Sequence, residues 1–101
     1  MPELLPYSTT KGAIVTFTKG LAQEMIEQRG VRVNAVAPGP VWTPLIPVSM
    51  EAEKVAHFGE GHPMQRPAQP GELAPVYVFL ACDESRWVNG QVIGTTGGKP
   101  F

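Results

Sequence analysis

The stretch YSTTKGAIVTFTKGLAQEMIEQRGVRVNAVAPGPVWT, residues 7–43, decides the fold of this chain. From Ser8 to about Gln28 its apolar residues recur at three- and four-residue spacing, which predicts a long amphipathic helix. Gly30 is a predicted left-handed stop, and the valine-rich residues 31–36 after it predict a short, mostly buried strand. A helix, a tight turn and a buried strand in this order are typical of α/β folds.

The middle of the chain is predicted to be irregular. Four prolines occur in residues 37–48, where they remove backbone donors, so we expect neither helix nor strand to run through this loop. A short helix is predicted from Ser49, as its cap, to about Phe58, followed by an irregular stretch rich in glycine and proline up to Pro70. Residues 44–70 together have the character of a mobile lid.

The last third of the sequence returns to regular structure. An apolar helix is predicted to begin at Pro70 and to run through Leu80, and residues 87–90 predict a turn. Residues 91–94 then predict a second strand, parallel to the first because a helix connects the two. The glycine pair at 97–98 is interpreted as a turn at the end of that strand.

Composition limits the function classes. The 101 residues carry 8 basic and 9 acidic side chains without runs, so neither nucleic acid nor a membrane is an expected partner. Residues 1–3 lack the basic start of a signal peptide, and the single Cys82 allows no intrachain disulfide, so we expect a cytoplasmic protein. His57 and His62 have no partners at metal-ligand spacing; we expect them to be solvated and the protein to bind no metal.

Two residues at the predicted helix start have a chemical use. Tyr7 and Lys11 are four positions apart, so they share a helix face. A neighbouring ammonium and the helix N-terminus both favour a phenolate, which makes a tyrosine usable as a general acid and base. The spacing alone is also typical of an ordinary surface pair. Asn34, inside the predicted strand, is expected to satisfy backbone groups and not to touch a ligand.

The order of these motifs resembles the C-terminal half of the short-chain dehydrogenase/reductase family. The resemblance rests on the Tyr-x-x-x-Lys-Gly-Ala motif and on four further segments: 33–43, 64–67, 70–72 and 89–98. It implies an α/β fold that is the C-terminal part of a Rossmann-type doubly wound parallel sheet. Residues 1–101 would then form part of an NAD(P)-binding domain. Pro2-x-Leu4 and residues 75–81 are similar to the glucose/ribitol-dehydrogenase-like and aldehyde-reductase-like branch.

The resemblance also implies roles for individual residues. Tyr7 would exchange a proton with an alcohol or carbonyl substrate while NAD or NADP carries the hydride, and Lys11 would activate Tyr7 and bind the nicotinamide ribose. Around the nicotinamide, the cofactor-binding positions of the loop would be Pro38, Gly39, Val41 and Thr43. Residues of the loop and lid, including Trp42, Leu45, Ile46 and His57, would cover the small-molecule substrate.

Parts of the family pattern do not occur in the sequence. The glycine-rich phosphate loop, the adenosine-reading strand, the active-site asparagine and the carbonyl-polarising serine all precede the tyrosine in the family, and Ser8 is not a substitute for that serine. The isolated chain is therefore expected to be inactive, and NAD is not distinguished from NADP. The family further implies a homo-oligomer. The alternative is a non-catalytic remnant that binds a partner or has no function.

Overall fold

The computed structural model describes residues 5–98. Its first element, α1 (Leu5–Arg29), confirms the predicted long helix and begins three residues before Ser8. Proline is tolerated in a first turn, where backbone N–H groups lack intrahelical partners, so Pro6 does not delay the start. Gly30 ends the helix at φ 65°, in the left-handed region that favours glycine, as predicted. Pro2 and Leu4, cited for the branch, lie outside the described residues.

Two short parallel strands form the sheet, as predicted. These are β1 (Ala35–Pro38) and β2 (Val92–Thr95), with Ala35 opposite Val92 and Pro38 opposite Thr95. The predicted bounds, 31–36 and 91–94, were wrong by up to four residues. Pro38 is compatible with a strand only at the end, because it has no N–H for the ladder.

Side chains take over backbone pairing just before the strands, which explains the late start of β1. The Asn34 amide donates to the carbonyl of Val88 at 3.0 Å, and its oxygen accepts the Gln91 N–H at 3.0 Å. Asn89 accepts the Val33 N–H at 2.9 Å and donates to the Ala22 carbonyl at 3.2 Å, which ties α1 to the sheet. The prediction that Asn34 is structural is confirmed.

The region between β1 and residue 58 is more ordered than predicted. Helix α2 (Leu45–Ser49) contains Pro47 in its first turn, where a missing N–H costs nothing, so the expectation of no helix before Val48 was wrong. Ser49 is the last residue of α2 and not a cap, since its hydroxyl donates back to the Leu45 carbonyl. A second short helix, α3 (Ala52–Ala56), follows.

The second long connection ends in the predicted helix. Residues 59–66 form turns and bends, and α4 (Pro70–Ala81) begins at Pro70 as expected. A 3₁₀ turn (Asp83–Ser85) leads toward β2, and its Ser85 is fully buried. Half-buried Arg32 holds this end of α4 by donating to Ser85 Oγ at 3.1 Å and to the Leu80 carbonyl at 3.1 Å.

The described residues bury little apolar surface. Ala22, 2% exposed, is the only buried hydrophobic residue among positions 5–98, whereas Phe17 is 67% exposed on the same helix. No helix within residues 5–98 is long and apolar enough to cross a membrane.

Candidate functional site

Tyr7 and Lys11 face solvent together at the start of α1. The Lys11 ammonium lies 5.2 Å from the centroid of the Tyr7 ring, within cation–π range. The phenol ring is 61% exposed. Within residues 5–98, neither the phenol oxygen nor the ammonium makes a hydrogen bond to the protein, so both polar groups are available to a ligand.

The length of α1 from Lys19 back to Tyr7 is similar to the length of the chain from Val33 to Gly39. The Lys19 ammonium donates to the Gly90 carbonyl at 3.2 Å, and the Gly90 N–H donates to Val33, so the middle of α1 is level with Val33. From Lys19 the helix continues back over twelve residues to Tyr7, about 18 Å at its usual rise. From Val33 the chain continues over six residues to Gly39, about 20 Å when extended. The two lengths are similar, and ligands of open α/β sheets bind at the carboxyl ends of the strands.

Gly39 is fixed by a close approach of backbone to backbone. Its N–H donates to the Thr95 carbonyl at 2.9 Å. A Cβ at this position would lie 2.9 Å from both Cα and O of Thr96, inside normal contact distance. Glycine is thus required here for the packing of the two strand ends, a role that the sequence alone did not reveal.

The loop after β1 keeps free main-chain groups. Val41 forms an isolated parallel bridge with Ala68, in which Ala68 N–H donates to Pro40 at 2.8 Å and Trp42 N–H donates to Ala68 at 2.8 Å. In this parallel bridge the hydrogen bonds are made by Pro40 and Trp42, the neighbours of Val41. The N–H and carbonyl of Val41 itself make no bond within the described chain. The half-buried Thr43 hydroxyl is likewise unpaired among residues 5–98.

A cavity of about 680 Å³ opens at the carboxyl ends of the strands. Pro40 lines it on the β1 side, and α4 and the loop before it contribute Arg66, Glu72 and Leu73. Met64, Ala68 and residues 94–98 at the end of β2 form the rest of the wall. The glycine pair in that wall forms the predicted turn, with φ 68° at Gly97 and 100° at Gly98.

One charged pair stands out in this wall. Arg66 makes a two-pronged ion pair with Glu72, with Nη1 to Oε1 at 2.7 Å and Nη2 to Oε2 at 2.8 Å. The Gln69 N–H also donates to this carboxylate, at 2.9 Å. The hydrogen bonds from Arg66, and then that from Gln69, lower the pKa of Glu72 to about 2. The sequence analysis did not predict this pair. The one sequence feature that indicates it is Glu72, three residues after the helix cap Gln69, with Pro70 between them.

The two histidines of the lid region behave differently. His57 is exposed, as expected, and its Nδ1 lies 2.9 Å from Glu60 Oε2. His62 is not solvated as expected, because its Nδ1 is buried without a hydrogen-bond partner within the described chain. The Trp42 and Phe58 rings pack at 6.3 Å between centroids, which holds the far end of α3 near the loop after β1.

The structure assembles the predicted site residues only in part. Pro38 and Gly39 lie at the end of β1, and Val41 and Thr43 follow in the loop, so four positions share one edge. Tyr7 and Lys11 are paired with each other. No hydrogen bond joins the two groups within residues 5–98.

A parallel sheet with flanking helices and a site at its carboxyl edge defines the class of Rossmann-type α/β proteins. The chain belongs to the short-chain dehydrogenase/reductase family, as the sequence motifs indicate. Residues 1–99 match the family described as enoyl-(acyl carrier protein) reductase.

Curated relatives support the branch inferred from the motifs. The chain is 59% identical over 95 residues to the uncharacterized oxidoreductase YhxC of Bacillus subtilis. It is 57% identical over 96 residues to NADPH-dependent aldehyde reductase 1, chloroplastic, of Arabidopsis thaliana, and 55% identical over 95 residues to a glucose and ribitol dehydrogenase homolog of Oryza sativa. Each alignment covers 94% of this chain. The chain spans about a third of the length of these relatives, 31–33%.

A solved structure shows the same relationship. The chain aligns with 3-oxoacyl-[acyl-carrier protein] reductase from Brucella melitensis at a TM-score of 0.77 and 39% identity. The alignment covers 91% of this chain and 34% of that protein. The fold and the family are therefore shown, and the chain corresponds to one portion of a family domain.

Proposed function

We propose that this chain supplies the catalytic pair and the nicotinamide-facing loop of an NAD(P)-dependent oxidoreductase that interconverts small alcohols and carbonyl compounds. One observation carries the proposal: within residues 5–98, Tyr7 and Lys11 present a phenol and an ammonium side by side, both exposed and neither hydrogen-bonded to the protein. Family membership adds that an oxidoreductase is the expected setting for such a pair. The chain then forms the C-terminal part of a larger NAD(P)-binding domain.

In the proposed reaction Tyr7 is the general acid and base. Its hydroxyl donates a proton to the carbonyl oxygen of the substrate, or accepts one from the alcohol in the reverse direction. The neighbouring Lys11 ammonium stabilises negative charge on the phenol oxygen and donates to a hydroxyl of the cofactor ribose. A bound nicotinamide supplies or accepts the hydride.

The free groups of the loop fit a nicotinamide carboxamide. An amide needs both a donor and an acceptor, and the N–H and carbonyl of Val41 make no bond to the other described residues, 5–98. The Thr43 hydroxyl offers a further donor or acceptor. Pro38 and Gly39 shape the backbone under this loop, with Gly39 held against Thr96.

Residues 44–70 would cover the substrate as a lid. The segment contains the exposed apolar side chain of Leu45 and the half-buried Ile46, and its base lies next to the loop after β1. The exposed apolar residues of α1, Phe17 among them, support contact with a second copy of the protein in a cytoplasmic homo-oligomer.

The proposal is tested by placing this chain in a complete domain. The matching third of the Arabidopsis NADPH-dependent aldehyde reductase is replaced by this chain, and NADPH consumption with an aldehyde is measured. We expect turnover within about tenfold of the unmodified host. A tenfold loss corresponds to a rise of only about 1.4 kcal/mol in the activation free energy. A folded chimera that binds NADPH but reduces no aldehyde would contradict the proposal and favour a non-catalytic binding fragment.

A further inference from the structure

The long connection between β1 and α4 is closed at its base. The bridge between Val41 and Ala68 places the entry and exit of this connection side by side, through the two 2.8 Å bonds described above. Further along, the Met64 N–H donates to the Gly97 carbonyl at 3.1 Å, so the connection also touches the turn after β2 at the rim of the cavity. The position of Met64 therefore affects how far the cavity is open.

Gln65 lies between Met64 and the Val41–Ala68 bridge, and its backbone conformation is strained. Its φ is 60°, the only positive value of a non-glycine residue among positions 5–98. A side chain in the left-handed region raises the backbone energy, so such a conformation persists only where neighbouring contacts impose it. Met64 is held on one side of Gln65 by Gly97, and Arg66 on the other side is held by α4.

Several bonds hold Arg66. Both terminal guanidinium nitrogens, Nη1 and Nη2, donate to the Glu72 carboxylate, and Nη1 also donates to the Pro67 carbonyl at 3.2 Å. Glu72 is fixed in turn by the Gln69 N–H in the first turn of α4. Planar two-pronged pairs of this kind define orientation as well as distance.

We propose that the Arg66–Glu72 pair is a positioning device that holds Gln65 in its left-handed conformation and thereby keeps Met64 against Gly97 at the cavity rim. Loss of the pair frees Arg66, lets Gln65 relax and releases Met64 from the turn after β2. This role concerns the geometry of the cavity and does not depend on the proposed redox activity. Neither residue takes part in the proton or hydride chemistry.

The test is amide hydrogen exchange of the full 101-residue chain, followed by NMR. Glu72→Gln removes the charge but keeps an acceptor for the Gln69 N–H, since glutamine also serves in a capping box. We expect hydrogen exchange at the Met64 amide to become about tenfold faster, because the energy cost of a left-handed residue corresponds to a factor of about this size. Exchange at the Gly39 amide, in the strand ladder, should be unchanged. Glu60→Gln, which breaks the exposed pair with His57, is the matched control and leaves Met64 unchanged.

A second substitution separates positioning from simple helix stabilisation. Gln65→Gly removes the strain, so Glu72→Gln combined with Gln65→Gly should restore slow exchange at Met64. Unchanged exchange at Met64 in Glu72→Gln, or equal acceleration at Met64 and Gly39, overturns the proposal. So does a double variant without rescue.

If Glu72→Gln does not fold, the salt dependence of hydrogen exchange at Met64 in the wild-type chain tests the same proposal. An exposed ion pair is screened between about 0.05 M and about 1 M salt, so Met64 exchange should accelerate while Gly39 exchange does not. Salt-independent exchange at Met64 overturns the proposal.

Discussion

Replacing Gly39 by alanine is expected to destabilise the strand pair directly. The added Cβ would lie 2.9 Å from Cα and O of Thr96 and 3.1 Å from its carbonyl carbon. All three are backbone atoms, which cannot rotate away as a side-chain end can. Overpacking of this kind costs about 1–3 kcal/mol of unfolding free energy. Because the described residues bury so little apolar surface, a loss of this size should leave a substantial unfolded fraction at 25 °C.

Urea unfolding followed by far-ultraviolet circular dichroism measures this loss. Gly20→Ala is the matched control, since a Cβ at Gly20 meets nothing within 4 Å and the residue lies inside α1. Alanine there should stabilise the chain by about 0.5–1 kcal/mol, because glycine loses more backbone entropy in a helix. The same chemical change thus has opposite signs at two positions. Equal stability of Gly39→Ala and wild type would refute the close approach of the strand ends.

Three further results are expected. Asn34→Ala leaves the Gln91 N–H without its partner and the Val88 carbonyl with Arg32 as its remaining donor, and should cost about 1–3 kcal/mol in urea unfolding; a loss near zero would contradict its structural role. The pKa of Glu72 in the folded chain is about 2, below its ordinary value of 4.5. The pair with Arg66 therefore contributes fully to the free energy of unfolding above pH 4.5, and this contribution is lost as the pH falls through about 2. The carboxyl carbon resonance of Glu72 should titrate accordingly, and a midpoint near 4.5 would contradict the pair. The 101-residue chain alone should not oxidise NADH or NADPH, because it spans only about a third of the length of its relatives, and measurable turnover would contradict that expectation.

Regular elements with a repeating apolar pattern were predictable from sequence. The helix α1, its left-handed stop at Gly30 and the start of α4 at Pro70 all follow from local rules for periodicity and helix ends. The parallel pairing also follows, since a helical connection between two strands favours that arrangement. These features depend on neighbours within a few residues, which a sequence displays directly.

Features that depend on distant partners were not predictable. The late start of β1 results from side-chain bonds of Asn34 to residues more than fifty positions away. The need for glycine at position 39 arises from Thr96, and the Arg66–Glu72 pair forms across a turn without helical or strand spacing. Tyr7 and Lys11 were predictable as neighbours on one face because their spacing matches the helix itself.

The most direct test of the account is the rate of aldehyde reduction by the chimera after Tyr7→Phe. The substitution removes the proton donor and keeps the ring, and Ser8→Ala is the adjacent control. We expect Tyr7→Phe to lower the turnover rate by about 10²–10⁴, the usual contribution of a general acid, with NADPH binding retained and Ser8→Ala close to the unmodified chimera. A Tyr7→Phe chimera that reduces the aldehyde at the unmodified rate would contradict the assignment of Tyr7 as the catalytic acid.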